Sequence, residues 1–141
     1  MISHYGSPKI LEKVLTHSQG TVGSDGIFCG RPHPRLYGTY PRFIREFVKD
    51  KQVLSLPEAI RKITSLPAGI LGLKDRGLLK KGYRADIVVF DPNSITDTAT
   101  YDNPDSYPKG IEYVFVNGEM VVENGVYTGN LPGKVLRKNI D

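Results

Sequence analysis

The apolar positions change their period once along the chain, near residue 73. Before that point they recur at helical spacing. Ile10, Leu11, Val14 and Leu15 lie on one helical face behind Ser7-Pro8, a predicted N-cap and first helical residue. Phe43, Ile44, Phe47 and Val48 repeat that two-by-two face. Their helix is predicted to start at Thr39 or Tyr40, with Pro41 in its first turn. Ser55-Leu56-Pro57-Glu58 has the spacing of a capping box and opens a helix carrying Ala59, Ile60 and Ile63. Ser65-Leu66-Pro67 starts a last short helix that ends near Gly72.

Beyond Asp75-Arg76-Gly77 the pattern becomes strand-like. Ala85 to Phe90 is a nearly continuous apolar run, which predicts a strand covered on both faces. Residues 91–110 read as a loop, with Pro92, Pro104 and Pro108. Ile111–Val116 and Glu119–Glu123 alternate around Asn117-Gly118, the signature of a type I′ hairpin. Asn124-Gly125 offers a second turn into Val126-Tyr127-Thr128. One β-branched step interrupts the helical half. Thr21-Val22 runs into Gly23-Ser24-Asp25-Gly26, a predicted strand ending in a turn with Asp25 at its carboxyl tip. In α/β folds chemistry sits at such tips. The plainer alternative is a turn in which Asp25 bonds to its own backbone. The pattern leaves both open. The expected fold class is α+β, helical to about residue 73 and mostly β beyond, with neither half looking complete.

Composition narrows the class. The chain's 141 residues can bury one core but are too few for a (β/α)8 barrel of ~250 residues. Apolar content of 39% and charged content of 24% suit a globular protein, and 15 Gly with 10 Pro make it turn-rich. One cysteine leaves no internal disulfide framework and favours a reducing compartment, the cytoplasm. Met1-Ile2-Ser3-His4 lacks the regions of a secretory signal, and no apolar run is long enough to span a membrane. The net charge of +4 is spread among acids. Lys80-Lys81 and the tail residues Lys134, Arg137 and Lys138 come without a nucleic-acid-binding motif, so no nucleic-acid or membrane partner is expected.

His4, His17 and His33 show no metal-ligand spacing, so no metal ligand is assigned. Cys29 reads as a buried structural thiol rather than half of a Cys–His pair. Gly23-Ser24-Asp25-Gly26 is not a nucleophile elbow. The loop Ile27–Gly38, stiffened by Pro32 and Pro34, carries more chemistry. Arg31 and Arg35 either pair with a substrate carboxylate or bond loop carbonyls, and the sequence leaves both open. Asp86, inside an apolar strand, reads as structural, turned to a turn amide or a neighbouring arginine.

Several of these motifs resemble the amidohydrolase superfamily: Gly23-Ser24-Asp25-Gly26, His33-Pro34-Arg35-x-Tyr37-Gly38-Thr39, Ser55-Leu56-x-Glu58-Ala59-Ile60 and Thr64-Ser65-x-Pro67-Ala68. So do Asp75-Arg76-Gly77-x-Leu79-x-x-Gly82-x-x-Ala85-Asp86-Ile87-Val88-Val89-Phe90-Asp91 and Val116-Asn117-Gly118. The His-Pro-Arg and Tyr-Gly-Thr loop is similar to the N-acyl-D-amino-acid deacylase (D-aminoacylase) branch. The resemblance runs from about residue 20 to the C-terminus and implies a C-terminal fragment of such an enzyme, either a cloned domain or a truncated reading frame. Residues 1–73 would be the last strand and helices of a TIM-like α/β barrel. Residues 74–141 would be the C-terminal part of the small β-sandwich domain of metal-dependent hydrolases. The resemblance implies that Asp25 is catalytic, taking a proton from the attacking water beside zinc and handing it to the leaving amine. It implies substrate-binding roles for His33 and Arg35. Zinc is expected in the full-length parent, with ligands upstream, and none on this fragment alone, which is expected to be inactive. The substrate would be a small N-acyl amino acid, and the fragment is expected to self-associate. The alternatives are part of a cyclic-amide hydrolase of hydantoinase or dihydroorotase type, or a non-catalytic module packing on a partner chain.

Overall fold

The computed structural model describes residues 6–28 and 30–137; the readings of His4, Cys29 and Lys138 lie outside them. All described helices precede residue 73 and all strands follow it. Helix α1, Pro8–Thr16, follows Ser7 as the sequence predicts. Of its apolar face only Leu15 is buried, while Ile10, Leu11 and Val14 are exposed.

Helix α2 spans Arg35–Ile44 and continues as a π-helical segment, Arg45–Asp50. The helix therefore begins earlier than the predicted Thr39 or Tyr40, and Pro41 lies inside it. The reason is local. Pro34 already has helical angles (φ −50°, ψ −25°), and the His33 ring accepts the Arg35 N–H, so the turn starts there. Pro41 gives up one ladder donor in exchange. Phe43, Ile44 and Phe47 are buried, with the two phenyl rings 5.7 Å apart. Together with Leu15, Leu54, Ala59 and Ile95 they form the core, and Phe90 and Ile111 pack against it. The core thus draws on both halves of the chain. Helix α3, Leu56–Ile63, is capped by Ser55, whose Oγ accepts the Glu58 N–H at 3.4 Å. Helix α4 is Ser65–Ile70.

Strands β1 (Ile87–Phe90), β2 (Ile111–Val116), β3 (Glu119–Glu123) and β4 (Val126–Tyr127) form one antiparallel sheet in sequence order. Val88 faces Val114, which in turn faces Val122. The β2–β3 turn has φ of 51° at Asn117 and 88° at Gly118, and the β3–β4 turn has 50° at Asn124 and 76° at Gly125. Both hairpins are those the sequence predicts. Asp86 also behaves as read: its carboxylate accepts the Asn117 N–H at 2.8 Å and pairs with Arg76, which donates to Asn117 Oδ1 at 2.7 Å.

Two further expectations fail. β1 is not covered on both faces. Among the described residues it is an edge strand paired only with β2, and Val88 and Val89 are exposed at 51% and 45%. An apolar run shows that cover is wanted; it does not supply the covering element. The strand predicted at Thr21-Val22 is also absent: residues 20–28 carry no regular structure, because no described segment pairs with them. Side chains hold its approach instead. Lys62, fully buried on α3, donates to the carbonyls of His17 and, at 3.1 Å, Gly20. Arg61 donates to the Ser18 carbonyl at 2.7 Å. Among the described residues no helix is long and apolar enough to cross a membrane.

Candidate active site

Asp25 stands at the end of this unpaired segment with φ of 46°, a left-handed turn. Its carboxylate faces solvent, 77% exposed. Arg35, the first residue of α2, grips it twice. Nη2 lies 2.8 Å from Oδ2, and Nε donates to the Asp25 carbonyl at 2.8 Å. A forked guanidinium can hold a backbone oxygen and a carboxylate at once, which fixes the direction of the acid. The segment lies close on α2: a Cβ at Gly26 would meet Leu36 Cδ1 at 2.8 Å and Leu36 Cα at 3.1 Å, so a larger residue there would have to displace the Leu36 side chain.

The structure brings all three candidate residues together. His33 sits two positions before Arg35. Its Nδ1 accepts the Arg35 N–H at 3.1 Å, and its Nε2 lies 3.2 Å from Tyr101 Oη. The His33 and Tyr101 rings meet edge-on, centroids 5.1 Å apart at 83°. Arg31 takes one of its two open roles: it donates to the Asp102 carbonyl at 2.6 Å, as a loop tie. Arg35 takes the same role through Nε on the Asp25 carbonyl and adds an ion pair to the Asp25 carboxylate.

The segment after β1 therefore closes over the start of α2. Tyr107 stacks edge-on against Tyr37 at 5.4 Å, and Asp97 pairs with Arg45 at 3.1 Å. Burial opposes the charge on Arg45, yet the Asp97 and Asp50 carboxylates raise its pKa above the ordinary arginine value. Between segment and helix lies a depression of about 250 Å³, lined by His33, Arg35, Thr39, Arg42, Asp97 and Tyr101. Sequence reasoning missed Asp97 and Tyr101. They lie in the stretch read only as a loop, and no spacing rule links Tyr101 to a histidine 68 positions away.

A zinc ion needs about four donors, three of them from protein at a catalytic site. Among the described residues no three His, Cys, Asp or Glu side chains converge. Asp25 is already paired with Arg35, and both His33 ring nitrogens have partners. The donor set present does not fit a metal by itself.

The helices and the four-stranded sheet superpose on part of known deacylase structures. The chain belongs to the Amidohydrolase family, whose model matches residues 15–122. It is 44% identical over 127 residues to an N-acyl-D-aspartate deacylase of Alcaligenes xylosoxydans xylosoxydans, covering 89% of this chain and 26% of that protein. A solved D-aminoacylase, studied for the role of its binuclear metal centre, superposes with a TM-score of 0.83 at 39% identity over 88% of this chain and 26% of that one. The N-acyl-D-glutamate deacylase of Bordetella bronchiseptica, solved with zinc and a phosphonate inhibitor, gives 0.77 at 39% identity over 80% of this chain and 24% of that one. A shorter match is to a dihydroorotase of Lactobacillus acidophilus, 33% identical over 57% of this chain and 21% of that protein. The chain spans about a quarter of the length of the deacylases it matches.

Proposed function

We propose that this chain is the C-terminal part of a metal-dependent amidohydrolase that cleaves the amide bond of N-acyl-D-amino acids. Residues 1–73 would supply the last strand and helices of its TIM-like barrel, and 74–141 part of its small β-sandwich domain. Asp25 would be the general base for the attacking water and then the general acid for the leaving amine. Arg35 and His33 would bind the substrate, Arg35 by meeting its carboxylate. Any zinc would rest on ligands outside the described residues, so no step here is drawn through it. The single cysteine suits a cytoplasmic enzyme.

The observation that carries the reading is the Asp25–Arg35 pair. It is an ionisable carboxylate kept accessible at a left-handed turn and aimed by an arginine, in a chain with deacylase kin. An acid meant only to shape a turn needs no such second grip. The dihydroorotase match supports a weaker second reading, a cyclic-amide hydrolase, because it covers little more than half of the chain.

Two measurements test the proposal. The complete zinc-loaded enzyme should hydrolyse an N-acyl-D-amino acid faster than its L-isomer or a cyclic amide, while the 141-residue chain alone turns over none of them. In the complete enzyme Asp25→Asn should lower kcat by roughly 10²–10⁴-fold with bound metal unchanged. Near-normal kcat would return Asp25 to the role of turn former, and loss of metal would make it a ligand.

A further inference from the structure

The cluster around His33 contains a residue that no reading of the loop motif assigns. We infer that Tyr101 is a positioning residue: through His33 it sets the start of α2, and so the aim of Arg35 at Asp25. Four groups are linked in series: Tyr101, His33, Arg35 and Asp25. Because the Arg35 N–H donates to His33 Nδ1, that nitrogen carries no proton. In the neutral ring the proton is then on Nε2, which faces Tyr101 Oη at 3.2 Å and donates to it. Tyr101 thereby holds the ring in the orientation in which Nδ1 can accept from Arg35. With the first N–H of α2 satisfied, the Arg35 side chain leaves the helix start in the direction of Asp25. There it makes its two bonds of 2.8 Å.

The surroundings fit a fixed geometry. The edge-on ring contact sets the face of one ring against the edge of the other, so Tyr101 meets His33 by packing as well as by its hydroxyl. Tyr101 is itself held in a tied segment: Arg31 bonds the neighbouring Asp102 carbonyl, and Thr100 Oγ1 accepts the Asn103 N–H at 3.0 Å. The charged groups lining the same depression are Arg35, Arg42 and Asp97. Of these, Asp97 is committed to Arg45. The C-terminal half of the chain thus reaches across 68 positions to order the loop that carries the proposed substrate-binding residues.

The catalytic meaning of this inference rests on the proposed roles of Arg35 and Asp25, but its test does not. Long-range proton–nitrogen spectra of the ¹⁵N-labelled 141-residue chain at pH about 7.5, above the ordinary imidazole value of about 6.5, report the tautomer. His33→Asn assigns the signals. The expected result is a single His33 tautomer protonated on Nε2, together with an Arg35 Nε–H protected from exchange. In Tyr101→Phe, His33 should populate both tautomers and Arg35 Nε–H should exchange several-fold faster, with amide exchange at Phe43 and Phe47 unchanged. In the His33→Asn background, Tyr101→Phe should add nothing further. A His33 proton on Nδ1 in the native chain, unchanged signals in Tyr101→Phe, or additive effects in the double variant would each overturn the inference. Normal turnover by the Asp25→Asn enzyme would sink the catalytic reading while leaving the native ring spectra as they are.

Discussion

At Gly118 the backbone turns through φ 88°, and a Cβ added there would meet nothing within 4 Å. The cost of Gly118→Ala is therefore backbone strain alone, about 1–2 kcal/mol for a left-handed position. Chemical denaturation should show that loss with an unchanged m-value. No loss would mean that the turn relaxes to another type. The Asn-Gly pair was readable because the constraint is local: two residues and their own angles. Asp86 was readable for a related reason. An acid in an apolar strand must find a partner, and the turn amide of Asn117 with Arg76 supplies one. Asp25 was only half readable. Its glycines announced a turn, but its grip by Arg35 depends on where α2 begins. Tyr101 was not readable at all, since a contact across the fold leaves no trace in spacing.

Helix α3 does more than its amphipathic pattern suggests. Its Glu58, Arg61 and Lys62 form one cluster beneath the chain's approach to Asp25. Arg61 bonds Glu58 at 2.7 and 2.9 Å, and Lys62 lies 3.5 Å from the same carboxylate. Lys62→Met would leave the His17 and Gly20 carbonyls without their buried donor, a loss of roughly 3 kcal/mol. The loss should fall on residues 17–25 first, visible as faster amide exchange there than at Phe43 and Phe47. Uniform loosening of the whole chain would contradict this. The cluster also predicts a pH dependence. The Arg61 bond holds the Glu58 carboxyl down at about 2, from an ordinary 4.5. The folded state thus favours the carboxylate more than the unfolded chain does. Its contribution is fully present above about pH 4.5 and fades as pH falls toward 2. Glu58→Gln should flatten acid unfolding across that window; an unchanged profile would show that the pair does not matter to stability. Among the elements, those with local signals of their own were legible: α1 from Ser7-Pro8, α3 from its Ser55 cap, α4 from Ser65-Leu66-Pro67, and both hairpins from their Asn-Gly turns. The misses were elements whose definition lies elsewhere. The start of α2 needs His33 as a cap, the Thr21-Val22 strand needs a partner strand, and the cover of β1 needs another layer.

At the scale of the whole molecule the two halves share one core, Phe43, Ile44 and Phe47 from the helices with Ile95, Phe90 and Ile111 from the β half. A division by period near residue 73 was legible, but not this sharing, because period reports the element and not its neighbours. The same core leaves apolar surface outside it. Ile10, Leu11 and Val14 on α1 and Val88 and Val89 on β1 remain exposed, and the outer edge of β1 has no partner strand among the described residues. In the deacylases this chain matches, about three quarters of the polypeptide lies outside the matched part. Such faces, together with an open edge, are association sites. The 141-residue chain alone should therefore self-associate, with a mass that rises with concentration in sedimentation or light scattering. Charging the α1 face, as in the double variant Ile10→Lys, Val14→Lys, should weaken that association without unfolding the core, since neither side chain is buried. A monomer at every concentration, with slow amide exchange at both 43–48 and 87–90, would show that the exposed faces are stable in water and that the core already formed is enough.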